Sequence, residues 1–155
     1  MVGNVILVDT NVWLALSLSK HEFHHAARRW LSDQTRAESL LFCRATQQSL
    51  LRLLTTEAVT RPYAIPPLTN AAAWELYGHY LADPRIAWVA EPPGVEARWH
   101  ALAARETSSG KLWMDAYLAA FAIAGGHQLV TTDKAFKQFK DLDVNVLPAP
   151  SARAR

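Results

Sequence analysis

The chain has a single cysteine, Cys43, in 155 residues, which excludes an internal disulfide framework and a cysteine-rich zinc site. It also lacks a basic signal-like N-terminus and any apolar run near the ~20 residues of a membrane span. Sixteen Lys and Arg oppose fourteen Asp and Glu, and a net charge of +2 does not by itself indicate a nucleic-acid or membrane partner. We therefore expect a soluble, cytoplasmic protein with no membrane contact.

The chain is composed like an ordinary globular domain, with 50% hydrophobic and 19% charged residues. We predict one domain over residues 1–147 and a flexible tail over residues 148–155. Short β-branched apolar runs predict strands at 4–8, 40–43, 86–89, 128–131 and 144–147. Helical spacing predicts helices at 11–18, 22–34, 46–55, 70–81, 94–105, 112–124 and 134–139. This alternation predicts an α/β fold with a mostly parallel central sheet and helices on both faces.

Three acidic residues are expected at one edge of this sheet. Asp9 ends the first strand, Asp133 ends a later strand, and Asp115 lies in the first turn of the helix that begins near Leu112. Each alone is typical of a turn or a helix start. Together, converging carboxylates repel one another unless a cation lies between them. Oxygen ligands of this kind suit Mg²⁺ or Mn²⁺, and such a site supports metal-assisted hydrolysis of a phosphodiester.

The segments around these acids resemble the motifs of the PIN-domain ribonucleases. Residues 8–14 (VDTNVWL) are similar to the opening motif, residues 113–120 (WMDAYLAA) to the third, and residues 129–133 (LVTTD) with Phe136 to the fourth. The motifs occur in the family's order and span residues 5 to 147. Within that family, their order and the chain length resemble the VapC-type toxins of toxin–antitoxin pairs.

The resemblance implies a PIN-like domain that acts as a metal-dependent endoribonuclease and stops translation by cutting RNA, either tRNA or rRNA. Asp9, Asp115 and Asp133 would bind the metal. Asn11 would orient Asp9 or a bound water, and the hydroxyl of Thr132 would lie close to the scissile phosphate. A VapB-type antitoxin partner and a homodimer are also implied.

The sequence departs from the family pattern in the helix after the second strand. Many of these enzymes have a glutamate there, whereas residues 46–54 (TQQSLLRLL) contain no acid, and the corresponding position is Gln48 or Ser49. One fewer carboxylate lowers the affinity of the site for cations. The sequence therefore favours one Mg²⁺ ion, with Mn²⁺ as an alternative, over two metals.

Two other functions are compatible with the sequence. Residues 21–25 (HEFHH) match the H-E-x-x-H pattern of zinc proteases, in which His21 and His25 would face the same side of a helix. Alternatively, the missing glutamate is compatible with a PIN fold that binds RNA or a partner without cutting. In the nuclease interpretation, basic residues around the acids would grip the RNA, and the candidates are Arg44, Lys111, Lys134, Lys137 and Lys140.

Overall fold

The computed structural model describes residues 4–150. The tail predicted at 148–155 falls largely outside these residues, as does the start of the predicted domain. No helix within residues 4–150 is long and apolar enough to cross a membrane.

A five-stranded sheet forms the centre of the described fold, and all of its strand pairs are parallel. The prediction of a mostly parallel sheet is thus confirmed. The spatial order is β3-β2-β1-β4-β5. Strands β2 and β3 therefore lie on one side of β1, and strands β4 and β5 lie on the other. The strands are β1 (Ile6–Val8), β2 (Leu40–Phe42), β3 (Ile86–Trp88), β4 (Gln128–Thr131) and β5 (Val144–Val146).

Helices cover both faces of the sheet, as the sequence predicts. The α-helices in the described part of the chain are α1 (Thr10–Ser17), α2 (His24–Ser32), α3 (Arg44–Leu54), α4 (Glu57–Thr60), α5 (Asn70–Ala82), α6 (Val95–Ala103) and α7 (Leu112–Gly125). There are also two 3₁₀ turns: Arg61–Tyr63 lies between α4 and α5, and Lys134–Gln138 lies between β4 and β5. Most predicted elements are present within a few residues of their expected bounds. The sequence missed α4 and the first 3₁₀ turn.

The core consists of two apolar clusters, one on each side of the sheet. In β1, Ile6 and Val8 belong to one cluster and Leu7 to the other, because successive side chains of a strand point to opposite faces. The first cluster includes the fully buried rings of Trp13 and Phe42, which stack 4.0 Å apart. This stacking anchors α1 against β2 and so fixes the helix that starts immediately after Asp9.

The position of the site follows from this topology. Between β1 and β4 the connections leave in opposite directions, which makes this pair the switch point of the sheet. In open parallel sheets, ligands bind beyond the carboxyl ends of the strands at such a point. Asp9 follows β1 directly, and Asp133 lies two residues after β4. The fold therefore brings two of the predicted site residues to neighbouring strand ends.

Candidate active site

Asp9 is a buried carboxylate at the end of β1, and only 7% of the residue is exposed. Its backbone N–H donates to the carbonyl of Val130, and its Oδ2 accepts a 2.7 Å hydrogen bond from the hydroxyl of Thr131. Burial raises the pKa of Asp9 to about 6. The charges of Asp115 and Asp133 contribute to this rise, while hydrogen bonds from Thr131 and Thr10 oppose it. The three predicted carboxylates therefore interact electrostatically.

Thr131, the last residue of β4, is the hydroxyl at the centre of this site. It is fully buried, donates to Asp9, and accepts hydrogen bonds from the amide Nδ2 of Asn11 (3.4 Å) and the backbone N–H of Asp133 (3.0 Å). The sequence instead predicted its neighbour Thr132 as the hydroxyl of the site. Thr131 could have been found from the sequence because it is a polar residue at the end of a buried apolar strand. That strand pairs with the strand that leads to Asp9.

Asn11 connects the start of α1 to the loop after β4. Its Oδ1 accepts from the backbone N–H of Thr132 at 3.2 Å, while its Nδ2 donates to Thr131. Asn11 thus reaches Asp9 through Thr131. Thr132 is partly exposed, and its hydrogen bond to Asn11 is made by its backbone. Both residues lie beside the acids, where they position the loop that carries Asp133.

Asp115 and Asp133 are joined by the ammonium group of Lys111. Its Nζ lies 2.7 Å from Oδ2 of Asp133 and 3.4 Å from Oδ2 of Asp115, one helical turn further along. Burial raises the pKa of Asp115, although Lys111 opposes that rise. Burial alone would also raise the pKa of Asp133, but hydrogen bonds from Lys111 and from the backbone N–H of Ala135 bring it below its usual value.

The donor set suits a hard divalent cation in its chemistry. It consists of carboxylate oxygens, and the raised pKa values of Asp9 and Asp115 show that negative charge is costly here until a cation compensates it. Within residues 4–150, however, no group of three His, Cys, Asp or Glu side chains is already arranged to hold a metal. The Lys111 ammonium lies between two of the carboxylates. A metal held by these carboxylates would therefore require their side chains and Lys111 to rearrange.

The helix that lacks the family's glutamate is α3. Gln48 is exposed and Ser49 is half-buried, whereas Gln47 is buried. The Oε1 of Gln47 accepts a hydrogen bond from Arg44, whose guanidinium also lies 4.7 Å from the centre of the Trp88 ring. The buried polar residues of α3 are therefore Thr46 and Gln47, which precede the two predicted positions. Residues 44–54 of this helix contain no acid.

The H-E-x-x-H match does not form the helical pair that a zinc protease needs. Helix α2 begins at His24, so His21 precedes the helix. The ring of His21 stacks on Tyr63 at 4.9 Å, and its Nδ1 accepts from the backbone N–H of Phe23. The Nδ1 of His24 contacts the carbonyl of Ala15 at 2.7 Å. Because His21 lies outside the helix that carries His25, the two do not form a pair one helical turn apart, and the structure does not support the zinc-protease interpretation.

A cleft of about 260 Å³ opens beside Asp115. Arg105 and Lys111 supply positive charge to its lining, Thr107 and Ser109 supply hydroxyls, and Asp115 lies at its wall. Of the other predicted basic contacts, Lys134, Lys137 and Lys140 are exposed on the segment that follows Asp133. A larger cleft, about 480 Å³, lies between α2 and residues 147–150 and contains none of the three aspartates.

Comparison with known proteins agrees with this geometry. The PIN domain family model matches residues 6–142. Ribonuclease VapC41 of Mycobacterium tuberculosis is 53% identical over 144 residues, which cover 92% of this chain and 99% of that protein. The same identity and coverage are found for this ribonuclease in two strains, CDC 1551 / Oshkosh and H37Rv.

Three crystal structures share the fold at low sequence identity. Rickettsia felis VapBC2, bound to a DNA fragment from its promoter, has 14% identity and a TM-score of 0.60, with coverage of 92% of this chain and 98% of that one. Mycobacterium tuberculosis VapC20, a toxin that cleaves the sarcin-ricin loop, has 21% identity and a TM-score of 0.60, with coverage of 92% of this chain and 99% of that one. Neisseria gonorrhoeae FitAcB has 18% identity and a TM-score of 0.61, with coverage of 90% of this chain and 95% of that one. With the family match and the 53% identity, the chain belongs to the PIN-domain family and, within it, to the VapC ribonucleases.

Proposed function

We propose that this VapC-family chain is a divalent-metal-dependent endoribonuclease that acts as the toxin of a type II toxin–antitoxin pair and inhibits translation. The observation that carries the proposal is the convergence of Asp9, Asp115 and Asp133, from three separate segments, in one site where the charges of Asp115 and Asp133 raise the pKa of Asp9 and the charge of Asp133 raises the pKa of Asp115. A buried carboxylate with a raised pKa beside two further acids is typical of a functional site. The 53% identity to a named ribonuclease supports the same conclusion.

We assign the metal-binding role to Asp9, Asp115 and Asp133, and a supporting role to Asn11 and Thr132. Mg²⁺ is the ion we propose, with Mn²⁺ as the alternative, because both prefer oxygen ligands. A divalent cation bound here would polarise the phosphoryl oxygen and lower the pKa of the attacking water. Other residues of the chain position these carboxylates: Thr131 fixes one oxygen of Asp9, and Asn11 holds the loop that carries Asp133. The absence of an acid from residues 44–54 of α3 supports a single ion.

RNA is the proposed substrate. The cleft beside the acids is lined by Arg105 and Lys111, and three exposed lysines follow Asp133, so a phosphate backbone would meet positive charge around an acidic centre. We infer tRNA or rRNA as the target class, and the rRNA alternative is supported by the related VapC20, a sarcin-ricin-loop-cleaving toxin. We place this activity in the cytoplasm, where the buried free thiol of Cys43 stays reduced.

A VapB-type antitoxin is the proposed protein partner, and we propose a homodimer of this chain. VapBC2 and FitAcB, which share the fold, support a partner of this class. The chain also exposes large apolar side chains, with Trp74 and Trp113 more than half exposed and Trp88, Leu81 and Met114 partly so. Exposed aromatic residues of this kind are enriched at protein interfaces.

Sequencing of RNA ends tests the nuclease proposal. We expect induced expression of the wild-type chain to generate new RNA ends at discrete sites and Asp115→Asn to abolish them. Asp141→Asn is the matched control, because it makes the same charge change at an exposed aspartate outside the site. With purified protein, cleavage should require Mg²⁺ or Mn²⁺ and stop in EDTA. RNA loss that is equal for wild type and Asp115→Asn would refute the assignment.

A non-catalytic PIN fold is the second candidate function. The observations that favour it are the absence of an acid from α3 and the ammonium of Lys111 between two of the acids. In that case the chain would bind RNA without producing new ends, and Asp115→Asn would leave the amount of bound RNA unchanged or higher. The same pair of variants therefore separates the two functions.

A further inference from the structure

Lys111 is in an electrostatically unusual position. It is the N-cap residue of α7, where the positive end of the helix dipole disfavours a cation. Its ammonium nevertheless contacts Asp133 at 2.7 Å and Asp115 at 3.4 Å. The stability of α7 therefore does not explain why a lysine occupies this position. Its contacts with Asp115 and Asp133 do explain it.

The Lys111 ammonium and a divalent cation would need the same oxygens. A cation held by Asp115 and Asp133 would replace the ammonium at their Oδ2 atoms, because two positive charges at that separation repel each other. The Lys111 side chain is 65% exposed, so it is free to turn outward without breaking the core. The cleft that it lines also contains Arg105 and provides room for this movement.

We propose that Lys111 is an internal counter-ion, a positioning residue that holds Asp115 and Asp133 together in the metal-free chain and is exchanged for the divalent cation. This inference rests on the proposed metal-dependent function. It explains why the described residues contain no ready-made metal site although three carboxylates converge. It also predicts that the wild-type chain binds metal more weakly than its acids alone would allow.

Isothermal titration of the purified full-length chain with Mn²⁺ alone tests the proposal. We expect Lys111→Met to bind Mn²⁺ roughly three- to tenfold more tightly than wild type, the size expected when exposed ion pairs stop competing. Lys111→Arg should bind like wild type because the cation is retained. Lys20→Met is the matched control: it removes the same charge from an exposed lysine beyond the far end of α1.

A thermal shift series gives a second measurement. In EDTA, Lys111→Met should melt below wild type, because Asp115 and Asp133 then repel each other without a counter-ion. A fixed excess of Mn²⁺ should raise its melting temperature more than that of wild type, since tighter binding to the folded state stabilises it more. If Lys111→Met folds poorly, Lys111→Gln, which keeps a hydrogen-bond donor without the charge, should show the same gain.

The outcomes separate this proposal from the function on which it rests. Equal or weaker Mn²⁺ binding by Lys111→Met would overturn the counter-ion role while leaving the metal site intact. An equal gain in Lys20→Met would overturn it as well, because net charge would then be the cause. If neither wild type nor Lys111→Met binds Mn²⁺ in the millimolar range, both the counter-ion role and the metal-dependent function are refuted.

Discussion

The hydroxyl of Thr131 donates a 2.7 Å hydrogen bond to Oδ2 of Asp9, although the two residues are 122 positions apart in the chain. The bond crosses from the end of β4 to the end of β1, which are adjacent in the sheet. The same hydroxyl accepts from Asn11 and from the backbone of Asp133. This buried side chain therefore links the ends of β1 and β4, and with them the opening motif (residues 8–14) and the fourth motif (residues 129–133).

Thr131→Val should disrupt the site while leaving the strand in place. Valine has the same shape, but it leaves the buried Oδ2 of Asp9 and the N–H of Asp133 without their partner. We expect stability to fall by about 1–3 kcal/mol. RNA cleavage should fall about 10- to 100-fold, the usual cost of losing a residue that orients a metal ligand.

Thr131→Ser is the control for this change, because it keeps the hydroxyl and removes only a methyl group. Urea unfolding and RNA cleavage should be measured on the same preparations. Serine should retain most of the activity that valine loses. Equal activity of wild type and the valine variant would show that the hydroxyl does not position Asp9.

The buried carboxyl of Asp9 should make the metal-free chain less stable as the pH rises. The pKa of Asp9 is about 6 in the folded chain against 3.8 for an unperturbed aspartate. Between these values the unfolded chain releases its proton while the folded chain retains it, so stability falls through this window. The full penalty, about 3 kcal/mol at most, is present above pH 6.

Asp9→Asn removes this titration. In EDTA, the variant should therefore be more stable than wild type at pH 7, and the difference should shrink toward pH 4. Urea unfolding across this pH range measures it, with Asp141→Asn as the control that makes the same charge change at an exposed position. A wild type that is more stable than Asp9→Asn at pH 7 would contradict the assignment of the raised pKa to burial.

The sequence predicted the sheet and the acids because both depend on local signals. Buried parallel strands are continuous apolar runs, and β4 was predicted at its observed bounds, Gln128–Thr131. The convergence of Asp9 and Asp133 followed from strand topology, since both come after strands of the same sheet. The placement of these residues needed no knowledge of side-chain contacts.

The details of the site could not be predicted because they depend on contacts between distant segments. Whether Thr131 or Thr132 faces inward depends on the strand register, and the reach of Lys111 to Asp133 depends on how α7 meets the loop after β4. The H-E-x-x-H pattern misled because it assumes one continuous helix. The structure starts that helix at His24, after the first histidine of the pattern.

Two glycines should respond in opposite ways to alanine. Gly78 lies inside α5, and a Cβ there would meet nothing within 4 Å, so Gly78→Ala should stabilise the chain by about 1 kcal/mol through helix propensity. Gly126 ends α7 with a φ of +67°, where a side chain is strained. Gly126→Ala should therefore cost about 1 kcal/mol. Urea unfolding of both variants measures the difference, and a shift of the same sign in both would contradict this explanation.

Arg85 should contribute far more to stability than an exposed ion pair of the same chemistry. Its guanidinium binds both carboxylate oxygens of Asp83 and donates through Nη1 to the carbonyls of Leu31 and Gln34, so it ties the start of β3 to the end of α2. Lysine lacks the fork that makes these bonds simultaneously. We expect Arg85→Lys to cost about 1–3 kcal/mol in urea unfolding.

The matched control for Arg85 is Arg61→Lys. Arg61 pairs with Glu57 at 2.9 Å, but both side chains are exposed and neither binds a backbone carbonyl of a distant segment. Exposed pairs of this kind contribute about 0.5 kcal/mol or less, so the substitution should be close to neutral. Equal losses in the two variants would mean that the contacts of Arg85 with the end of α2 add nothing to stability. The difference between the variants therefore measures the value of this link between α2 and the edge strand β3.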